Sequence, residues 1–381
     1  MEMQKFDIAI VGAGPAGCSA ALSLQNSDCS VALFDKMQFP RTKICGDGIC
    51  DRSINTLRAI SENYCNEWLA TKKMLSIPNT QLVYNGRPYT IELKNFGYTC
   101  KRVDFDSFLF SLVQRDCKNV SLYQQQEIRD VSRSDGGILL QAADGTEYWT
   151  KMLLVCNGAS SKIARTLTNK SFDKSKMGVA IRAYYTGVEG LGSAIELHYR
   201  KDFFPGYLWI FPMADGSANV GFGCRFVENS LGDENIRAVF ENWLQQDEQL
   251  QKRFAHAERV SAIQGGLVPY STAQFECFGD NYCICGDAAN LIDPISGGGI
   301  GSAMLSGRLA ALQADKCVKQ SDCSQSATKE YAELLKKRVE KEMRTRYSIQ
   351  KMVTKHTWLL DVLAFVGRRE KLLRKITNWY L

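Results

Sequence analysis

An α/β fold is predicted, in which a Rossmann-like parallel-sheet domain is interleaved with an antiparallel-sheet domain and followed by a helical C-terminal region. Three stretches of sequence predict it. Phe6-Asp7-Ile8-Ala9-Ile10-Val11 is a short apolar run leading through Gly12-Ala13-Gly14-Pro15-Ala16-Gly17 into an alanine-rich segment of helical composition, and Ser30 to Phe34 forms a second apolar run. From about Met177 to Val227, strand-like segments follow one another without helical patterns between them, as in an antiparallel sheet. From Ser326 onward, charged and apolar residues interleave at helical spacing.

Taken in order, the opening strand, turn, helix and strand form a βαβ unit, which requires parallel strands and a right-handed crossover. Apolar residues recur at helical spacing between Phe105 and Cys117. Glu127 to Thr150 alternates around turn signals at Asp135-Gly136-Gly137 and Asp144-Gly145, the pattern of a β-meander. Met152 to Cys156 is a buried strand. Asn281 to Cys285 is another that runs into Gly286-Asp287, and Ile300 to Ala314 has helix composition, so the chain returns to the nucleotide domain. The expected boundaries are 1–75, 100–170 and 271–345 for the cofactor-binding domain, 76–99 and 171–270 for the substrate-binding domain, and 346–381 for the helical C-terminal region.

The chain has 381 residues, 45% hydrophobic and 23% charged, which is ordinary globular usage. No stretch approaches the roughly 18 consecutive apolar residues of a membrane span. Met1 to Asp7 carries charges and has no apolar core with a cleavage site, so a cytoplasmic location is expected. The 14 cysteines lack paired CxxC spacing and read as small core residues; no metal is expected. Residues 336–381 hold 13 Lys/Arg against 4 Asp/Glu, in a chain of net charge +6. No nucleic-acid motif accompanies this basic tail, so a nucleic-acid partner is not expected, whereas peripheral contact with anionic lipid is.

Gly12-x-Gly14-x-x-Gly17 follows a strand and opens a helix, the context that gives the motif its meaning. Gly12 permits the tight turn, Gly14 lets the backbone approach a pyrophosphate, and Gly17 allows close helix-to-strand packing; the helix N-terminus offers free N–H groups to phosphate. Asp35 ends the second strand about 20 residues on, where a carboxylate can accept hydrogen bonds from an unphosphorylated ribose. These features alone do not distinguish FAD from NAD.

Gly286-Asp287-Ala288-Ala289, with Asp293-Pro294 and Gly297-Gly298-Gly299-Ile300, resembles the GD box of flavin hydroxylases and geranylgeranyl reductases and so implies FAD. There the aspartate meets the ribityl chain, and the glycine turn presents helix N–H groups to the isoalloxazine. Arg102-x-x-Phe105-Asp106-x-x-Leu109 matches a motif whose arginine lies close to FAD. By register, Ile128 touches the adenine end through its main chain. Arg41-x-Lys43-x-Cys45-Gly46-Asp47-Gly48-Ile49 is similar to the cysteine-glycine segment of geranylgeranyl reductases, which runs beside the flavin. Tyr207-Leu208-Trp209-Ile210-Phe211-Pro212 resembles their YxWxFP motif. One departure is Asn157-Gly158, where related hydroxylases carry Asp-Gly.

On these residues the chain is identified as similar to the geranylgeranyl reductase family of FAD-dependent oxidoreductases. The resemblance implies FAD contacts at Gly12, Gly14, Ala16, Gly17, Asp35 and Lys36; at Arg41, Cys45, Gly46, Asp47, Arg102 and Ile128; and at Gly286, Asp287, Gly298, Gly299 and Ile300. It implies catalytic roles for Cys45, Tyr207 and Trp209. In a strand Tyr207, Trp209 and Phe211 share one face and form an aromatic wall, suited to a polyprenyl chain whose double bonds take a hydride and a proton. The proton could come from Tyr207, Cys45 or water, and the electrons from NAD(P)H or a ferredoxin-like donor. The competing readings are a flavin monooxygenase, a flavin halogenase with Lys43 as its lysine, and a non-catalytic prenyl carrier.

Overall fold

The computed structural model describes residues 3–169, 177–225, 235–270 and 277–367. β1 (Gln4–Val11), α1 (Pro15–Ser23) and β2 (Val31–Asp35) form the opening βαβ unit. β3 (Gly48–Ile49), α2 (Asp51–Ile60) and α3 (Glu62–Ala70) lead to the hairpin β4 (Leu75–Tyr84) and β5 (Arg87–Thr99), then to α4 (Arg102–Asp116) and β6 (Val120–Gln124). β7 (Ile128–Ser134), β8 (Gly137–Ala142) and β9 (Glu147–Val155) form the meander, followed by α5 (Lys162–Thr168). β10 (Met177–Thr186), β11 (Ala194–Tyr199), β12 (Tyr207–Pro212) and β13 (Ala218–Arg225) come next, then α6 (Ile236–Gln246), α7 (Glu248–Arg253), β14 (Glu258–Arg259) and β15 (Gln264–Pro269). The last elements are β16 (Phe278–Gly279), β17 (Tyr282–Ile284), α8 (Ile300–Lys319), α9 (Gln325–Leu335), α10 (Lys341–Lys355) and α11 (Trp358–Gly367).

The first sheet runs β16-β17-β9-β1-β2-β6, with β7 and β8 joined through β9. Its central strands pair in parallel, Val11 opposite both Phe34 and Val155. Apolar side chains fill both faces, because helices cover each side of such a sheet. Pro15 sits in the first turn of α1, where its missing N–H costs nothing. The small residues of α1 permit an unusually close crossing with α8. A Cβ on Gly307 would lie 2.1 Å from the Ala16 carbonyl oxygen, and the Ser19 hydroxyl donates to the Met304 carbonyl at 2.7 Å.

The second sheet runs β14-β10-β13-β12-β11-β4-β5-β3, with β15 on β10. It is antiparallel except where β11 pairs in parallel with β4, Ala194 opposite Asn79. Strand alternation divides its residues between two faces. Ile181, Ala183, Leu208, Ile210, Val220 and Phe222 pack against Val239, Phe240 and Trp243 of α6. The alternate positions, Arg182, Tyr207, Trp209, Phe211 and Gly223, face a cavity shared with the first sheet.

Among the described residues no helix is long and apolar enough to cross a membrane. Of the basic stretch 336–381 on which the lipid-contact expectation rests, residues 368–381 lie outside the described residues.

Candidate functional site

One cavity of about 1780 Å³ runs between the two sheets. Pockets for a single small molecule commonly span about 300–1,000 Å³, so this one can hold a cofactor and a second ligand together. Gly12, Gly14, Asp35, Lys36, Arg41 and Ile128 line one end. Cys45, Gly46, Asp47, Arg102, Asp287, Gly298, Gly299 and Ile300 line the middle, opposite Tyr207, Trp209 and Phe211.

At the first end Gly12 has φ +105°, and a Cβ there would lie 2.5 Å from the Cys156 carbonyl oxygen. A Cβ on Gly14 would meet only Arg41 Nη2, at 3.5 Å, so the floor at this turn is open. Asp35 accepts from the Ala13 N–H and the Met37 N–H, both at 2.9 Å, and so locks the glycine turn to the end of β2. Arg41 bridges Asp106 at 3.1 Å and lies 3.6 Å from Asp35, which holds a cation over the turn. Arg102 forms a bidentate pair with Asp106, at 2.7 and 2.8 Å, and is almost wholly buried. Among the described residues, Asn157 Oδ1 is buried without a partner on the same wall. The open floor, the free amides at the start of α1, the cation and the unmatched polar oxygen fit a dinucleotide pyrophosphate and its ribose.

Ala16, Gly17 and Gly286 do not line the cavity; they pack its supports. A Cβ on Gly17 would lie 1.8 Å from the Gly12 carbonyl oxygen. Gly286 has φ +59° and abuts Ala303 and Ala16, while its N–H donates to the Ser306 hydroxyl at 2.9 Å. At the next turn Asp293 accepts from the Ile295 and Ser296 N–H groups, both at 2.8 Å, and pairs with Arg346. That carboxylate shapes the glycine loop before α8, whose N-terminus opens on the cavity through Gly298, Gly299 and Ile300.

On the opposite side the indole of Trp209 lies over glycines. A Cβ on Gly221 would sit 2.2 Å from its ring, so only glycine leaves space for it. The Trp209 N–H donates to Asn219 Oδ1 at 2.9 Å. Asn219 Nδ2 in turn donates to the Cys45 carbonyl at 2.9 Å and to Asp47 Oδ2 at 2.8 Å, and the Tyr184 hydroxyl donates to the same Oδ2 at 2.5 Å. The Tyr207 hydroxyl donates to the Ser296 carbonyl, which ties the aromatic wall to the glycine loop. Burial pushes the Cys45 thiol up, opposed by the Arg102 guanidinium, and pushes the Tyr207 phenol well up.

Residues 6–170 match the family described as pyridine nucleotide-disulphide oxidoreductase. The chain is 28% identical to digeranylgeranylglycerophospholipid reductase 2 of Methanopyrus kandleri, over 98% of this chain and 93% of that protein. It is 29% identical to menaquinone reductase of Mycobacterium tuberculosis, over 80% and 75%. The fold matches a geranylgeranyl bacteriochlorophyll reductase-like protein of Thermoplasma acidophilum at TM-score 0.84, with 21% identity, 97% of this chain and 92% of that one covered. Over nearly its whole length the chain is therefore similar to named prenyl-lipid and quinone reductases and shares the fold of a geranylgeranyl reductase-like protein.

The cysteine-glycine segment lies against the aromatic wall. A Cβ on Gly46 would lie 3.4 Å from the Phe211 ring and 3.5 Å from Trp209 Nε1. Asn219 joins the two, bonding Trp209 on one side and Cys45 and Asp47 on the other, while Tyr184 on β10, which also bonds Asp47, carried no motif. The chondrochloren halogenase shares the fold at TM-score 0.72 and 19% identity. Lys43, the residue weighed as a halogenase lysine, is half-exposed and lies 3.4 Å from Asp287 Oδ2.

Proposed function

We propose that this chain reduces carbon–carbon double bonds in the polyprenyl portion of a lipid or quinone, with FAD held between the glycine turn of β1 and the N-terminus of α8. The carrying observation is the single cavity that joins the dinucleotide end to the Tyr207–Trp209–Phe211 wall. Gly12, Gly14, Asp35 and Arg41 would hold the pyrophosphate and ribose; Asp287, Gly298 and Gly299 would hold the ribityl chain and ring. When bound and reduced, FAD supplies hydride.

The chain's own residues do the rest. Ile77, Ile91, Leu197 and Val268 extend the aromatic wall with apolar surface, which is what a ligand with few polar handles needs. The ring faces of Tyr207 and Trp209 favour positive charge developing at an alkene carbon. The names of the archaeal and mycobacterial relatives support a prenyl lipid or prenyl quinone as substrate. The electrons come from NAD(P)H or a ferredoxin-like donor. Residues 1–75, 100–170 and 271–345 serve the cofactor, and 76–99 and 171–270 the substrate.

Exposed Met352, Trp358 and Val362 on the last two helices support peripheral contact with a membrane surface, where such a substrate resides. Co-sedimentation with anionic and neutral vesicles checks this: binding that prefers anionic vesicles and weakens with salt is expected.

The test of function is anaerobic mixing of dithionite-reduced holoprotein with polyprenyl lipids, prenyl quinones and phenols, followed by mass spectrometry. A prenyl product heavier by hydrogen is the expected result. Oxygen insertion into a phenol after air is admitted, with no hydrogenated prenyl product, would overturn the reading.

A further inference from the structure

On the substrate sheet one cation stands without a counterpart. Arg182, on β10, is 4% exposed and lines the cavity. Its guanidinium lies 4.5 Å over the Tyr184 ring. Among the described residues no hydrogen bond or ion pair engages that guanidinium, and its Nε is buried. Asp47 feels its charge but is already bonded by Tyr184 and Asn219. By contrast, Arg41 and Arg102 are paired with Asp106, Arg52 with Glu342, and Arg346 with Asp293. A guanidinium that has left water without gaining a partner is costly, so its place on a ligand cavity points to a partner brought by the ligand.

Beside Arg182 the wall is bare. Ala180, two residues along β10 and on the same face, lies opposite Gly223 on one neighbouring strand and Gly266 on the other. Three strands in register thus carry nothing longer than a methyl group. All three residues line the cavity, and a Cβ on Gly266 would meet no atom within 4 Å. This floor, with an unmatched cation at its rim, leaves room for a polar group.

The order of strands separates that room from the apolar part of the cavity. Two strand spacings, roughly 10 Å, lie between β10 and β12, which carries Trp209. Beyond Trp209 the wall is apolar, through Ile195 and Leu197 of β11 to Ile77 of β4 and Ile91 of β5. A charged head and an apolar chain therefore have separate places, with the indole between them.

We propose that Arg182 anchors an anionic oxygen on the head of the prenyl substrate, of phosphate type, over the Ala180–Gly223–Gly266 floor while the chain crosses Trp209. The proposal deepens the reading of the site as a prenyl reductase and rests on it. The planar guanidinium presents its N–H groups as a fork that meets two oxygens of one phosphate. The phosphates of the cofactor would lie at Gly14 and Arg41 on the other sheet, which leaves Arg182 to the second ligand.

Anaerobic single turnover of dithionite-reduced holoprotein tests this with geranylgeranyl phosphate and geranylgeraniol, the same chain with and without the anion. Wild type should reach half-maximal flavin reoxidation at a concentration about tenfold or more lower for the phosphate. Arg182→Gln should keep its FAD and bring the two concentrations together, and Arg182→Lys should restore part of the difference. Gly266→Leu, which enters open space, should raise the concentration needed for the phosphate more than that for the alcohol; it decides the matter if Arg182→Gln does not fold. A wild type that does not prefer the phosphate, or variants that weaken both compounds alike, overturn the proposal and leave the prenyl-reductase reading standing. A preference for a prenyl quinone over the phosphate, abolished in Arg182→Gln, would make the partner a neutral carbonyl and overturn the anion. Competition by inorganic phosphate as strong as that by the prenyl phosphate would make this a free-anion site and overturn the head-group assignment. A wild-type protein that no prenyl compound reoxidises overturns the prenyl-reductase reading and the proposal with it.

Discussion

Across the cavity, Gly12, Gly14, Gly298 and Gly299 present main chain on the cofactor side, whereas Tyr207, Trp209 and Phe211 present side chains on the substrate side, backed by the buried Asn219 and Asp47. The main-chain wall turns at Gly12 and Gly297, both at positive φ, which glycine adopts without strain, so it suits a ligand that never changes. The side-chain wall hangs on a hydrogen-bonded chain from β12 through β13 to the Cys45 segment and β10. Substitutions there can retune the substrate without disturbing the cofactor.

The largest effects should separate glycines that build the turn from glycines that face the ligand. Gly17→Val should prevent folding of the nucleotide sheet, since even a Cβ would lie 1.8 Å from the Gly12 carbonyl oxygen. Gly14→Val should fold with an unchanged circular dichroism spectrum and yet contain no FAD, because its side chain enters space that only the cofactor uses. A Gly14→Val protein with full flavin occupancy would break the distinction.

On the other wall the predicted losses are smaller and leave the flavin in place. Gly221→Ala should expel the Trp209 indole, and Trp209→Ala removes it; both should slow alkene reduction about tenfold, the loss of roughly 1–2 kcal/mol from a desolvated cation–π contact. Visible absorbance of the bound flavin should match wild type in each. If Gly221→Ala is slow and Trp209→Ala is not, the indole is packing alone. Cys45→Ala should retain FAD and slow reduction less than Trp209→Ala, as its thiol is a weak acid here; stopped-flow reoxidation ranks the two.

The smallest effect concerns stability. A carboxyl held above its ordinary 3.8 in the folded protein contributes stability that is fully present below 3.8 and lost as pH rises through the folded value. Asp47→Asn removes this titration, so denaturant midpoints should move in favour of the variant, relative to wild type, as pH rises above 3.8. A difference independent of pH would mean that Asp47 is ionised in the folded state.

The same contrast explains what the sequence discloses. Gly12, Gly14, Asp35 and the Gly286-Asp287 turn are legible because each answers a local backbone demand within a few residues or one βαβ unit. The aromatic wall is legible from period-two alternation. The Asn219–Asp47 and Tyr184–Asp47 bonds join residues 172 and 137 positions apart, and no local pattern announces them. Asp47 reads from sequence as a cofactor contact, yet its carboxylate is held by the substrate sheet. Ala16, Gly17 and Gly286 belong to the cofactor motifs, and their close packing against neighbouring helix and main chain appears only once α1 and α8 are seen to cross. The parallel pairing of β11 with β4 is equally silent, because a strand's composition does not name its neighbour.

That pairing bears on how the molecule is assembled during synthesis. Leu75–Thr99 leaves the ribosome as a hairpin whose β4 edge has no neighbour until Ala194–Tyr199 arrives, after the whole meander of the other sheet has been made. An open strand edge is a template for pairing with other chains. Contacts so distant in sequence also form slowly. A nascent chain stalled before residue 194 would therefore carry a sticky border, and severing the polypeptide between the two sheets leaves each fragment with half of a seam that closes only in the intact protein.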